Sequence, residues 1–145
     1  MAEGQPYFIL LLIISAVLSF TFPIAALISP PYTYFGIFPA ALGILIDLWS
    51  SAIFVRSKTT VSPYGRPTAL VISGPFRISR NPMYLGMALV LLGEAMLLGS
   101  LVAFIGPLAF VLIASVALIP NEEKRLLSIF GGDYEDYRKK VRRWV

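Results

Sequence analysis

The sequence predicts an all-α integral membrane protein, with four transmembrane helices followed by amphipathic helices at the cytoplasmic interface. Three observations lead there. Hydrophobic residues make up 57% of the chain and charged residues 14%, which is far more apolar than a water-soluble domain. Four apolar runs approach the roughly 20 residues that a helix needs to cross a bilayer. Every Lys and Arg falls in one of two places, between the second and third runs or after the fourth.

The expected spans are Tyr7 to Ile28, Thr33 to Val55, Pro82 to Leu98 and Leu101 to Ile119. The N-terminus lacks a positive start and a small-residue cleavage site, so its apolar run reads as a retained span. Ser29 to Tyr32 and Gly99 to Ser100 read as tight hairpins, the first marked by Pro30-Pro31, which cannot continue a helix. Pro23, Pro39 and Pro107 fall inside spans, where neighbouring helices accommodate them as kinks.

With four spans, the two basic regions face one side. They hold Arg56, Lys58, Arg66, Arg77 and Arg80, then Lys124, Arg125, Arg138, Lys139, Lys140, Arg142 and Arg143. The positive-inside rule makes that side the cytoplasm. The expectation is a single domain, 1–145, forming a multi-pass protein of a prokaryotic cytoplasmic membrane with both termini cytoplasmic. The chain has no cysteine and no histidine. A disulfide framework, a thiolate nucleophile and the commonest metal ligand and general base are therefore excluded, and no metal site is expected. Two acids, Asp47 and Glu94, lie within spans. Each has two readings: a substrate or proton contact, or a local solution, with Glu94 reaching water at the outer end and Asp47 bonding to a neighbouring helix.

Polar residues gather in two knots. The first is "SGPFRISRNPMYLG", residues 73–86. Asn81-Pro82 reads as a helix start, with Asn as N-cap and Pro at the first helical position. One reading stops there, at a capped helix entering the membrane with Arg77 and Arg80 at the headgroups. The other uses the same geometry for binding, because a helix N-terminus beside Arg80 suits a carboxylate or phosphate. Tyr84 shares a helical face with Asn81, Gly86 leaves room for a helix or a ligand, and Gly74-Pro75 sets a turn that returns the backbone to this corner.

The second knot is "PNEEKRLLSIFGGDYEDYRKKVRRWV", residues 120–145. Pro120 to Glu123 marks the exit from the membrane. Adjacent helical residues point about 100° apart, so Glu122 and Glu123 cannot serve one atom. One reading is that both acids simply favour a helix N-terminus; in the other, one takes a cationic or hydroxyl group of a ligand while its neighbour pairs with an Arg or caps the helix. Helices over 121–130 and 134–144 are expected, separated by Gly131-Gly132, with Asp133 capping the second. Tyr134, Tyr137, Val141 and Trp144 recur at helical spacing amid basic residues, which suits a helix lying on an anionic leaflet. Nucleic acid is the rival partner for such a patch, but its position beside a span favours lipid.

The two knots in this order resemble the isoprenylcysteine carboxyl methyltransferase and phospholipid methyltransferase superfamily, from about Thr59 to the C-terminus. The resemblance implies an integral membrane enzyme that uses S-adenosylmethionine and releases S-adenosylhomocysteine. It places the cofactor at the cytoplasmic end of the last two spans. Carried over, Gly74, Pro75, Arg80, Asn81, Pro82, Tyr84 and Gly86 match the first motif, and Glu122 and Glu123 match the second. Asn81 stands where many relatives have His, and Asn cannot act as a base near neutral pH. Arg77, Tyr137 and Arg138 are the candidates to steer an acceptor.

The expected function is methyl transfer to a lipid-like or small amphipathic carboxylate, thiol or amine at the cytoplasmic face. No nucleic acid or metal is expected as a partner. One rival is a sterol-reductase-like membrane enzyme using NADPH, for which the chain looks short and carries no added phosphate-binding motif. The other is a non-catalytic scaffold of the same fold.

Overall fold

The computed structural model describes residues 2–22, 24–57 and 68–145. Pro23, Lys58, Thr59 and Arg66 lie outside these residues. The chain forms α1 (Gln5–Thr21), α2 (Ile37–Arg56), α3 (Pro82–Leu98), α4 (Leu101–Phe130) and α5 (Gly132–Lys140). A 3-10 turn, Tyr32–Gly36, leads into α2. There is no strand among the described residues, only an isolated bridge between Ala26 and Ser100. Tyr32–Arg56, of 25 residues, and Leu101–Phe130, of 30, are long and apolar enough to cross a membrane. The helices α1 and α3 are apolar but shorter, at 17 residues each.

Side-chain contacts fix the directions. Gly36 faces Gly93 and Gly43 faces Gly86, so α2 and α3 run antiparallel. Gly4 meets the Tyr84 ring and the Ser15 hydroxyl donates to Glu94 Oε2 at 2.9 Å, so α1 runs parallel to α3. Phe8 rests edge-on against Phe110 at 6.3 Å and Gly106 lies on Ser15, so α4 runs back along α1. This up-down-up-down order gathers Gly4, Arg56, Arg80 and Glu122 at one end. At the other end, Gly99 takes a left-handed φ of 66° to close α3, and its carbonyl accepts from Leu27 and Ile28 at 2.7 and 3.1 Å.

The shared core is Tyr84, Met87 and Leu91 of α3 against Phe110, Ala114, Leu118 and Ile119 of α4. Outward faces stay apolar, with Ile13, Val17, Leu45, Leu48, Leu108 and Val116 exposed. Between α2 and α3 the contact is made by small residues, which let two backbones approach.

Several expectations change. The first helix ends at Thr21, not Ile28, because Phe22 precedes a proline and takes a non-helical conformation, φ −130° and ψ 70°. The hairpin after it is therefore a longer connection. Pro39 and Pro107 sit in first turns, of Ile37–Arg56 and of the α-helical stretch Ile105–Ile113, where a missing N–H costs little. Pro120 does not end the fourth helix, so 121–130 is no separate element. The turns before it widen to a π-helix over Ala114–Leu118, which absorbs the lost N–H and the ring, and α4 continues to Phe130. Glu94 hydrogen-bonds to α1, whereas the Asp47 Oδ1 atom is buried against Gly86 with no hydrogen-bond partner.

A Cβ at Gly93 would lie 2.6 Å from both the Ala40 Cβ and the Gly36 carbonyl oxygen. Gly93→Leu is expected to lower stability by about 1–3 kcal/mol through overpacking, read as a lower thermal unfolding midpoint in detergent. The exposed Leu45→Ala should change it little.

Candidate active site

The two knots meet at the end of the bundle that gathers the charged residues. Arg80 stands just before α3, and its Nη1 lies 2.9 Å from Glu123 Oε1 on α4. The Arg80 side chain is 9% exposed and that of Glu123 11%, so the pair is largely shielded from solvent. A second cation completes the cluster. Arg143 donates through Nε to Glu123 Oε1 at 3.2 Å and through Nη2 to Oε2 at 2.8 Å, a two-pronged contact. The Arg80 Nη1 also reaches the Tyr134 hydroxyl at 3.4 Å.

Arg143 arrives because α5 ends early. Helix 134–144 was expected, but α5 stops at Lys140 and Val141 is extended, φ −123° and ψ 134°. Residues 141–145 return as a strap across the start of α3. The Arg80 N–H donates to the Arg142 carbonyl at 3.0 Å, and the Asn81 side-chain amide donates to the Arg143 carbonyl at 3.0 Å. Ser79 Oγ donates to the same carbonyl at 3.3 Å, and Trp144 Nε1 donates to Ser115 Oγ in the π-helical turn at 3.3 Å. Asn81 therefore makes no side-chain cap on α3, contrary to expectation. Asp133 lies in the first turn of α5 and does not cap it. Gly131 occupies that position, with φ 52°.

Tyr84 is 1% exposed, packed on Phe110 at 6.4 Å and covered by Gly4. Its hydroxyl is buried, with the Glu122 carboxylate nearby. The Arg80 Nε is likewise buried and has no acceptor. Pro82 opens α3 and is buried beside them.

The other residues of the first motif turn elsewhere. Gly86 points at Asp47 and Gly43 of α2. Gly74, with φ 59°, begins the 3-10 turn Gly74–Arg77 and abuts Trp49 and Ile53 of α2. The Pro75 carbonyl accepts from Ser79 at 3.1 Å, so this turn aims the chain at Arg80 without touching the ion cluster.

A groove of about 590 Å³ lies along α5, lined by Arg77, Asp133, Asp136, Tyr137 and Lys140 with apolar Leu70 and Ile72, and none of the three cluster residues lines it. Two of the three acceptor candidates, Arg77 and Tyr137, line it. Arg138 is exposed and does not. Tyr137 is anchored by its hydroxyl, which donates to the Phe76 carbonyl at 2.6 Å. Burial pushes the Tyr134 and Tyr137 hydroxyls above the ordinary tyrosine range, and the carboxylate of Glu123 adds to the shift at Tyr134.

Residues 32–133 match the phospholipid methyltransferase family, a range that contains both motifs. The chain belongs to the phospholipid methyltransferase family. It is 38% identical over 88 residues to the protein-S-isoprenylcysteine O-methyltransferase of Schizosaccharomyces pombe, covering 59% of this chain and 36% of that protein. It is 41% identical over 63 residues to an uncharacterized protein of Haemophilus influenzae, covering 43% of this chain and the whole of that protein. No solved structure matches the chain. The resemblance carried by the two motifs therefore holds, and membership in this family supports a membrane methyltransferase.

Glu123→Gln leaves Arg80 buried without its counter-charge and is expected to cost about 3–5 kcal/mol, toward the lower end because Arg143 still reaches solvent. Asp136→Asn removes an exposed pair with Lys139 and should cost less than about 1 kcal/mol. Chemical unfolding of the two variants in detergent compares them. The Tyr134 and Tyr137 hydroxyls favour the folded state in neutral form. Their contribution is complete below the ordinary tyrosine pKa of about 10 and is lost as pH rises toward the higher folded values. Tyr137→Phe should lose about 0.5–1.5 kcal/mol at neutral pH and show a shallower decline above pH ~10.

Proposed function

We propose that the protein is an S-adenosylmethionine-dependent methyltransferase acting on a lipid-like or small amphipathic acceptor at the cytoplasmic face of a membrane. All four apolar helices span the bilayer in this reading, with both termini in the cytoplasm. The observation that carries it is the 2.9 Å pair between Arg80 and Glu123, which joins the two motifs into one site. Family membership and the yeast relative support the reaction class.

The residues present fit the cofactor. Arg80 offers a buried Nε donor with no acceptor, and Tyr84 offers a buried hydroxyl beside Glu122. Arg80 would hold the cofactor's carboxylate, Glu122 its ammonium or ribose hydroxyls, and Tyr84 would pack against it and donate its hydroxyl. When bound, the cofactor supplies an electrophilic methyl group on a positive sulfur. The chain's task is then to align an acceptor with that methyl, and such positioning supplies much of the rate. Tyr84, Phe110 and Gly4 exclude water from one side, which strengthens every charge interaction within. Asn81 holds the strap and takes no proton. A carboxylate or thiolate acceptor needs no base, and for an amine Glu122 is the residue placed to assist. Arg77, Lys140 and Tyr137 line a route for an acidic head group, and the exposed basic residues of α5 meet an anionic leaflet.

Calorimetric titration in detergent tests the reading. S-adenosylhomocysteine should bind the wild type, and Glu122→Gln should weaken it at least about ten-fold with an unchanged unfolding midpoint. Binding of NADPH instead would favour a reductase, and binding of neither would leave a scaffold. Labelled cofactor with a host lipid extract then identifies the acceptor.

A further inference from the structure

Glu123 is surrounded by cations. Its Oε1 lies 2.9 Å from Arg80 Nη1 as an ion pair and accepts from Arg143 Nε, and its Oε2 accepts from Arg143 Nη2. Two of the roughly four lone-pair sites of the carboxylate are thus taken by Arg143 N–H groups, and the Arg80 guanidinium lies against Oε1 as well. Such a carboxylate is a poor ligand for an ammonium group. Two guanidiniums share its single negative charge, so the triplet carries a net charge of +1. The Arg80 side chain is 9% exposed, and its Nε has no acceptor. A buried donor on a cluster of net positive charge calls for an anion. The Arg143 side chain is 39% exposed, so donors not turned to Glu123 remain within reach of a ligand. The strap that carries it is held by hydrogen bonds to Ser79, Arg80, Asn81 and Ser115. Arg143 also lies beyond residues 32–133, which match the family.

We propose that the C-terminal strap forms a wall of the binding site, with Arg143 acting beside Arg80 as a second anion-binding residue. Glu123 then works through the two guanidiniums, as a positioning residue, and does not touch the ligand. The anion is the carboxylate of the cofactor's amino-acid end, so the inference rests on the S-adenosylmethionine reading above.

Titration of the full chain in detergent with two ligands separates the possibilities. One ligand is S-adenosylhomocysteine. The other is its decarboxylated analogue, which keeps the nucleoside, the thioether and the amine. Arg143→Gln should weaken the first about 10- to 100-fold, the loss of a charged hydrogen bond, and leave the second unchanged. Arg143→Lys keeps the charge but not the fork, so its affinity for the first should fall between wild type and Arg143→Gln. If Arg143→Gln does not fold, Arg143→Lys alone decides: a loss confined to the carboxylate-bearing ligand supports the assignment. Equal losses for both ligands, or none for either, would overturn it. A wild type that binds neither ligand would overturn the cofactor reading itself, a result distinct from failure of the Arg143 assignment.

Discussion

One carboxylate organises the charged end of the molecule. Glu123 joins α4 to the start of α3 through Arg80 and to the C-terminal strap through Arg143. Burying a carboxylate costs several kcal/mol after relaxation, and a single partner often fails to offset it. Two guanidiniums, one in a fork, provide more compensation and hold three segments in one geometry. The early end of α5, the docking of Trp144 and the engagement of Asn81 are consistent with the strap having to deliver Arg143 to this point.

The first motif serves two neighbours. Tyr84 and Gly86 are two residues apart and so point to nearly opposite sides of α3. Tyr84 closes against α4 and Gly4, while Gly86 admits Asp47 and the α2 backbone. In the proposed site, a ligand held by Arg80 and Glu122 would meet the Tyr84 side. The Gly86 side is packing, and with the second small residue Gly93 it draws α2 onto α3. The same short sequence supplies residues of the proposed site and fastens the bundle that carries them. The polar bond from Ser15 to Glu94 plays a comparable part between α1 and α3.

Much of this was legible beforehand because it follows from one-dimensional rules. Apolar length marked Pro82 to Leu98 with the bounds that α3 has. The clustering of Lys and Arg at two places anticipated that Arg56, Arg80 and Glu122 would share one end, and the antiparallel pair α3–α4 between Arg80 and Glu122 does return the chain to where it started. That Glu122 and Glu123 would face apart followed from helical geometry, and pairing with an Arg was one of the readings this left open. Helix ends were less legible. Pro120 looked like a terminator, yet a π-helical turn absorbed it, a backbone adjustment that no residue type announces. Tyr137, Val141 and Trp144 fit a helical stripe, but that spacing is equally compatible with a helix that stops and a chain that folds back.

The sequence by itself determined the helical class, the apolar runs, the charged end and the two motifs, since each depends on residue type and spacing along the chain. Tertiary structure decided which Glu faces which Arg, that Asn81 serves the strap and not the helix start, and that Gly86 belongs to helix packing. Those choices depend on distances between segments remote in sequence. They were settled by the need to find partners for buried charges and amides where water is excluded.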